Sequence, residues 1–63
     1  MRIRAIMDGD VVFWDGTSWT LDESRAAKLS QPEANRRLRI TTANNRFLDR
    51  DERVEDARIE SKP

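Results

Sequence analysis

Side chains able to do chemistry are scarce in this sequence, and the scarcity narrows what the protein can do. The 63 residues hold no histidine and no cysteine. That removes the commonest general base, the commonest metal ligands and the thiolate nucleophile. Asp8, Asp10 and Asp15 are close enough in sequence to suggest paired carboxylates, but Asp8 and Asp15 each precede a glycine, where a turn accounts for them. Serines occur without a Ser-x-x-Lys spacing or a Gly-x-Ser-x-Gly elbow. Gly9 and Gly16 both belong to those turns, which leaves no glycine for a phosphate-cradling loop. No Asp-x-Asp-x-Asp-Gly calcium loop is present. The sequence therefore predicts no enzyme, no metal site and no cofactor, and the candidates for function are surfaces.

Three sets of residues qualify. Arg36, Arg37 and Arg39 have the chemistry to grip phosphates, or they form a solvated helix face. Trp14 and Trp19 have the chemistry to stack on bases or on a peptide proline, or they fill the core of a domain that needs large side chains. Arg4, Ile6, Val11 and Phe13 form a mixed cationic and apolar cluster suited to a protein partner, or to cover by Val54, Ala57 and Ile59 of the C-terminal segment. Which reading holds depends on the elements that position them.

Asp8-Gly9 and Asp15-Gly16 are the strongest local signals. Each pair is flanked by strand-forming residues, and Asp-Gly suits a tight hairpin because both central residues need positive φ. They predict strands near 2–7, 10–14 and 17–21. A two-residue loop at Asp8-Gly9 sets Met7 against Asp10 and Ala5 against Val12. At the second turn a two-residue loop sets Trp14 against Thr17, and a four-residue loop sets Trp14 against Trp19. Alternation then gives a core face of Ile3, Ala5, Met7, Val12, Trp14, Trp19 and Leu21. The other face carries Arg2, Arg4, Ile6, Val11, Phe13, Ser18 and Thr20, with Arg4 placed to stack on Phe13.

One apolar sheet face needs a cover, which must come from the second half. Ser30-Gln31-Pro32-Glu33 reads as a helix start: a capping serine, a proline in the first turn and a returning glutamate. Ala34 and Leu38 then face the sheet. Over residues 38–42 the alternation of β-branched residues favours a strand, turned at Asn44-Asn45 into residues 46–48; the rival is a helix continuing to about Ala43. Residues 49–63 are mostly charged and read as a tail, flexible or partly docked. Val54, Ala57 and Ile59 in it fit neither helical nor strand spacing.

The charges sum to zero but are segregated. Residues 1–23 carry two basic and five acidic side chains, residues 24–48 six basic and one acidic, and residues 49–63 four basic and six acidic. A neutral total argues against general nucleic-acid binding, which a basic field drives; the basic middle block keeps it as an alternative. Absence of cysteine, of a signal-like leader and of any apolar run long enough for a membrane points to the cytoplasm and away from membranes.

The run Val11-Val12-Phe13-Trp14-Asp15-Gly16, then Trp19-Thr20-x-Asp22, Ala26-Ala27 and Ser30-x-x-Glu33-Ala34, resembles a pattern in small uncharacterised bacterial and phage proteins that pair a short β-meander with one helix. The resemblance covers about residues 3–38 and implies a fold, with no site or activity.

These observations predict an α+β domain over residues 1–48, a three-stranded antiparallel β-meander packed on one short helix, with room for one or two further C-terminal strands. The expected function is non-enzymatic protein binding as a small bacterial or phage accessory factor, as a homodimer or with another protein, through Arg4, Ile6, Val11 and Phe13. The alternatives are nucleic-acid binding through Arg36, Arg37 and Arg39, and an acidic decoy that inhibits a host defence nuclease.

Overall fold

Asp8-Gly9 turns the chain back on itself in the computed structural model, which describes residues 1–48 and 53–61. Both residues take positive φ, 52° and 82°, the geometry of a type I′ turn whose twist suits the flanking strands. It joins β1 (Arg2–Met7) to β2 (Asp10–Trp14) in the expected register. Met7 lies opposite Asp10, Ile6 opposite Val11, Ala5 opposite Val12 and Arg4 opposite Phe13.

The second Asp-Gly pair folds differently. The Asp15 carboxylate accepts from the backbone N–H groups of Thr17 and Ser18, at 2.7 Å each. In this loop only Gly16 has positive φ, 105°. The side chain thus replaces the tight backbone turn, the loop takes four residues, and Trp14 pairs with Trp19. β3 is only Trp19–Thr20, shorter than the expected 17–21. Leu21, expected on the core face, is 68% exposed. The chain leaves the sheet there, because the Asp22 side chain accepts from the Ser24 N–H and caps a 3-10 turn over Glu23–Arg25.

The helix α1 (Gln31–Asn44) starts as expected, with the Ser30 hydroxyl accepting from the Glu33 N–H and Pro32 in the first turn. It then runs through residues 38–44, where the alternation of β-branched residues favours a strand. Two conditions decide this. Helical spacing buries Ala34 and Thr41 and half-buries Leu38 on one side; strand spacing would bury Ile40 beside Leu38 instead. The β-branched Thr42 is also accommodated, its hydroxyl donating to the Leu38 carbonyl at 3.0 Å. Asn45, read as a turn residue, becomes the helix cap and a clamp. Its side-chain amide donates to the Val54 carbonyl at 2.7 Å, and its oxygen accepts from the Val54 N–H at 3.2 Å.

Val54 leads into β4 (Glu55–Glu60), which comes from the segment expected as a charged tail; residues 49–52 and 62–63 of that segment lie outside the described residues. β4 pairs antiparallel with β1, giving a four-stranded sheet in the order β3-β2-β1-β4. α1 carries the chain across one sheet face, from the β3 edge to the opposite edge. The odd spacing of the apolar residues in β4 has a structural cause. Glu55 faces Ile6 and Arg58 faces Arg4, so β4 holds one extra residue between these pairs. The extra residue creates a bulge at Asp56, whose φ is 52°. It restores the phase: Val54, Ala57 and Ile59 all come to the helix-covered face, with Ile59 opposite Ile3.

The core between sheet and helix is built from Ile3, Ala5, Val12 and Trp14, with Ala34, Thr41 and Val54 from the second half. Among the described residues no helix is long and apolar enough to cross a membrane.

Two predictions follow from these turns. Asp56→Val should lower stability by about 1–2 kcal/mol, because a β-branched residue resists positive φ. Asp56→Gly should stay within about 0.5 kcal/mol, since glycine adopts that φ freely and an exposed ion pair to Arg58 contributes little. Equal losses in urea unfolding would mean that the ion pair, not the backbone, matters. Backbone N–H groups of Ser18 and Thr17 hold the Asp15 carboxyl below the usual carboxylate range. The hydroxyl and N–H of Ser24 do the same for Asp22. A depressed folded pKa means the unfolded chain binds protons more readily. The stabilisation is complete above the ordinary carboxylate value of about 3.9 and disappears as pH falls through the depressed one. Asp15→Asn keeps the accepting oxygen and removes the titration. Its unfolding free energy should fall less steeply between pH 5 and pH 2 than that of the wild type, and a parallel acid limb would refute the assignment.

Candidate functional site

The sheet face away from α1 collects Arg4, Ile6, Val11 and Phe13, as the register requires. Its central aromatic is sealed. The Arg2 guanidinium lies 4.8 Å over the Phe13 ring, and Phe13 is 6% exposed. Arg2 is fixed by two carboxylates: its Nη2 is 2.6 Å from Glu23 Oε1 and its Nε is 3.0 Å from Glu60 Oε1. Glu23, then Glu60, raises the Arg2 pKa and keeps the guanidinium charged. Arg2 therefore takes the stacking position expected for Arg4, because it has two counter-ions. Arg4 is half-buried and faces Arg58 of β4, which pairs with Asp56 at 2.6 Å.

β4 widens this face at its edge and does not fold over it. Its apolar residues serve the opposite side. What remains accessible is a narrow apolar strip, half-buried Ile6 beside Val11, which is 38% exposed.

The arginines of the basic block separate. Arg37 turns inward and places its guanidinium 3.7 Å over the Trp14 ring, an attraction strengthened by desolvation. Trp14 also meets Trp19 edge-on, with centroids 5.4 Å apart and planes at 66°. Both tryptophans are thus engaged in the fold, Trp14 buried and Trp19 half-buried. Arg36 and Arg39 stay outside, exposed, and neither joins an ion pair among the described residues.

The helix brings them neighbours that the sequence reading did not select. Arg36, Ile40, Ala43 and Phe47 repeat at helical spacing on the side opposite Ala34 and Thr41, with Arg39 and Arg46 alongside. Ile40 is 40% exposed and Phe47 is 88% exposed. Phe47 follows the helix end, where backbone bonds from Arg46 to Ala43 and from Phe47 to Asn44 continue the turn. Shallow grooves flank Arg39, one lined by Pro32, Arg36 and Ile40, the other by Leu38, Ala43 and Arg46. The i, i+4, i+7, i+11 repeat was the available signal; it becomes visible only when residues 38–47 are read as helical.

Among the described residues no three acidic side chains group closely enough to hold a metal ion. The acids near the turns are engaged locally: Asp15 in its loop, Asp22 at its cap, Glu23 on Arg2. No protein-family model, curated protein or solved structure matches the chain.

Because Phe13 is sealed beneath Arg2, Phe13→Ala should cost about 3–4 kcal/mol. Val11→Ala on the same face should cost under about 1 kcal/mol. Thermal unfolding of the two variants checks this, and a folded, undiminished Phe13→Ala protein would remove Arg2 and Phe13 from the structural account.

Proposed function

We propose that this protein is a non-enzymatic binding module, of the small accessory kind that the bacterial and phage pattern suggests, and that it engages an acidic protein partner through the outer face of α1. The observation that carries the reading is the company of Phe47. A large aromatic 88% exposed, aligned with Ile40 and bordered by Arg36, Arg39 and Arg46, which join no ion pair among the described residues, has the composition of an interface centre. Aromatic and arginine side chains dominate binding energy where they occur together. The arginines select for a negatively charged rim on the partner and speed its approach. The absence of histidine and cysteine from the sequence supports binding rather than catalysis.

A partner protein is favoured over nucleic acid because Arg37, the middle arginine of the block, is committed to Trp14. The decoy alternative rests on the acidic turns and tail; of these Asp15 is engaged in its own loop and Asp56 on Arg58, and residues 49–52 lie outside the described residues.

Affinity capture with the wild type, Phe47→Ser and an Arg36→Ala/Arg39→Ala/Arg46→Ala variant tests the reading. All four positions are exposed, so the variants should keep the wild-type melting temperature. Phe47→Ser should weaken a captured protein's binding by about thirtyfold or more, the loss of a hot-spot residue. The triple variant should slow association and flatten its salt dependence. Capture unaffected by either variant would overturn the assignment. Duplex DNA or RNA bound tighter than about 10⁻⁶ M at physiological salt, and released in the triple variant, would replace it with nucleic-acid recognition.

A further inference from the structure

Arg37 and Thr41 lie one turn apart on the buried side of α1, and among the described residues each buries a polar atom without a hydrogen-bond partner, Arg37 Nε and Thr41 Oγ1. Both line the same small cavity of about 60 Å³, with Trp19, Leu48 and Val54 among its walls. Thr41 is 4% exposed. A helical threonine ordinarily satisfies its hydroxyl on the carbonyl one turn earlier, as Thr42 does on Leu38. Thr41 does not, so its hydroxyl is free for the cavity. The Arg37 guanidinium rests on the Trp14 ring at 3.7 Å and has no carboxylate within ion-pair distance among the described residues.

Buried polar groups are nearly always satisfied, and here the half-buried Arg37 brings a positive charge beside two that are not. The two orphaned groups are an N–H and an O–H, so together they offer a pair of donors beside a positive charge. That set is complementary to a ligand that only accepts. The cavity has room for a group of a few heavy atoms. We infer that it is a binding site for one small monovalent anion, a halide or a single carboxylate group. Arg37 Nε–H and the Thr41 hydroxyl donate to the anion, and Trp19, Leu48 and Val54 wall it in. The site is independent of the outer-face reading, because it opens on the opposite side of α1.

The test uses the full chain labelled with ¹⁵N, titrated with sodium chloride or sodium acetate. Ionic strength is held constant with sodium sulfate, whose larger dianion does not match a site for one small monovalent anion. The resonance of the Arg37 side-chain N–H should shift saturably with chloride and with acetate, and the melting temperature should rise along the same curve. Thr41→Val keeps the shape and removes the donor. It should weaken both responses roughly tenfold, the worth of a hydrogen bond to a charged group. Arg37→Gln should abolish them, with circular dichroism confirming that each variant is folded. A shift linear in salt, or one unchanged in Thr41→Val, would overturn the site. An Arg37 N–H indifferent to both anions would show that the cavity holds water only, which overturns it equally. Saturation by acetate but not chloride would keep the site and restrict it to carboxylates.

Discussion

The fold depends on the burial of Trp14 between three different parts of the chain. Trp19 meets its ring edge-on at 5.4 Å, and Arg37 covers it at 3.7 Å. Its backbone carbonyl accepts from the Ala27 N–H at 2.8 Å. A single residue thus links β2 to β3, to the segment after the 3-10 turn and to α1. A 63-residue chain without disulfides has little apolar area to spend, and domains of this size are marginally stable. Concentrating contacts on one large side chain is an economical answer, because an aromatic buries the most area with few rotatable bonds. The position of α1 over the sheet follows from it. Once Arg37 is fixed above the ring, Ala34 and Thr41 fall on the same side of the helix as the core.

Arginine is used in two ways. Arg2 and Arg37 are structural. Each lays its guanidinium on a ring, and Arg2 also holds Glu23 and Glu60, so that β1, β4 and the 3-10 turn are tied over Phe13. Their long apolar stems suit them to covering aromatics. Arg36, Arg39 and Arg46 are exposed on the side of Ile40 and Phe47 and join no ion pair among the described residues. The acidic residues divide likewise, with Asp15 and Asp22 organising loops. Net charge by segment therefore overstates the field available for binding. Part of the formal charge is paired at the surface, as Arg25 is with Asp22 and Arg58 with Asp56.

The connection from β3 to β4 determines which surface stays open. Because α1 crosses one face and β4 returns at the β1 edge, neither element covers the other face. Phe13 is covered there by Arg2, held by Glu23 and Glu60. The Asn45 clamp on the Val54 backbone and the bulge at Asp56 set the phase of β4. With them, Val54 and Ala57 join the core and α1 is left with an outward apolar stripe. Without the bulge, residues on one side of Asp56 would point to the wrong face of the sheet, since a shift of one residue exchanges the two faces.

The meander, its register and the helix start were legible in the sequence because each is specified within a few neighbouring residues. Asp8-Gly9 fixes the hairpin through positive φ at two adjacent positions. Strict alternation then assigns Ile3, Ala5, Val12 and Trp14 to one face, and Ser30 caps α1 using only the next three residues. The rest needed the tertiary structure, for a physical reason: those outcomes were competitions between local options of similar free energy. Residues 38–44 suit a strand or a helix, and burial of Thr41 against the sheet tips them to helix. Asp15-Gly16 suits a two- or a four-residue loop, and two hydrogen bonds to the carboxylate choose the longer one. The spacing of Val54, Ala57 and Ile59 matches no regular period, and only pairing with β1 introduces the extra residue that reconciles it. The candidate site belongs to this second group. Phe13 and Phe47 are alike as residues, and which one is sealed and which is presented depends on where Arg2 finds two carboxylates and where the helix ends.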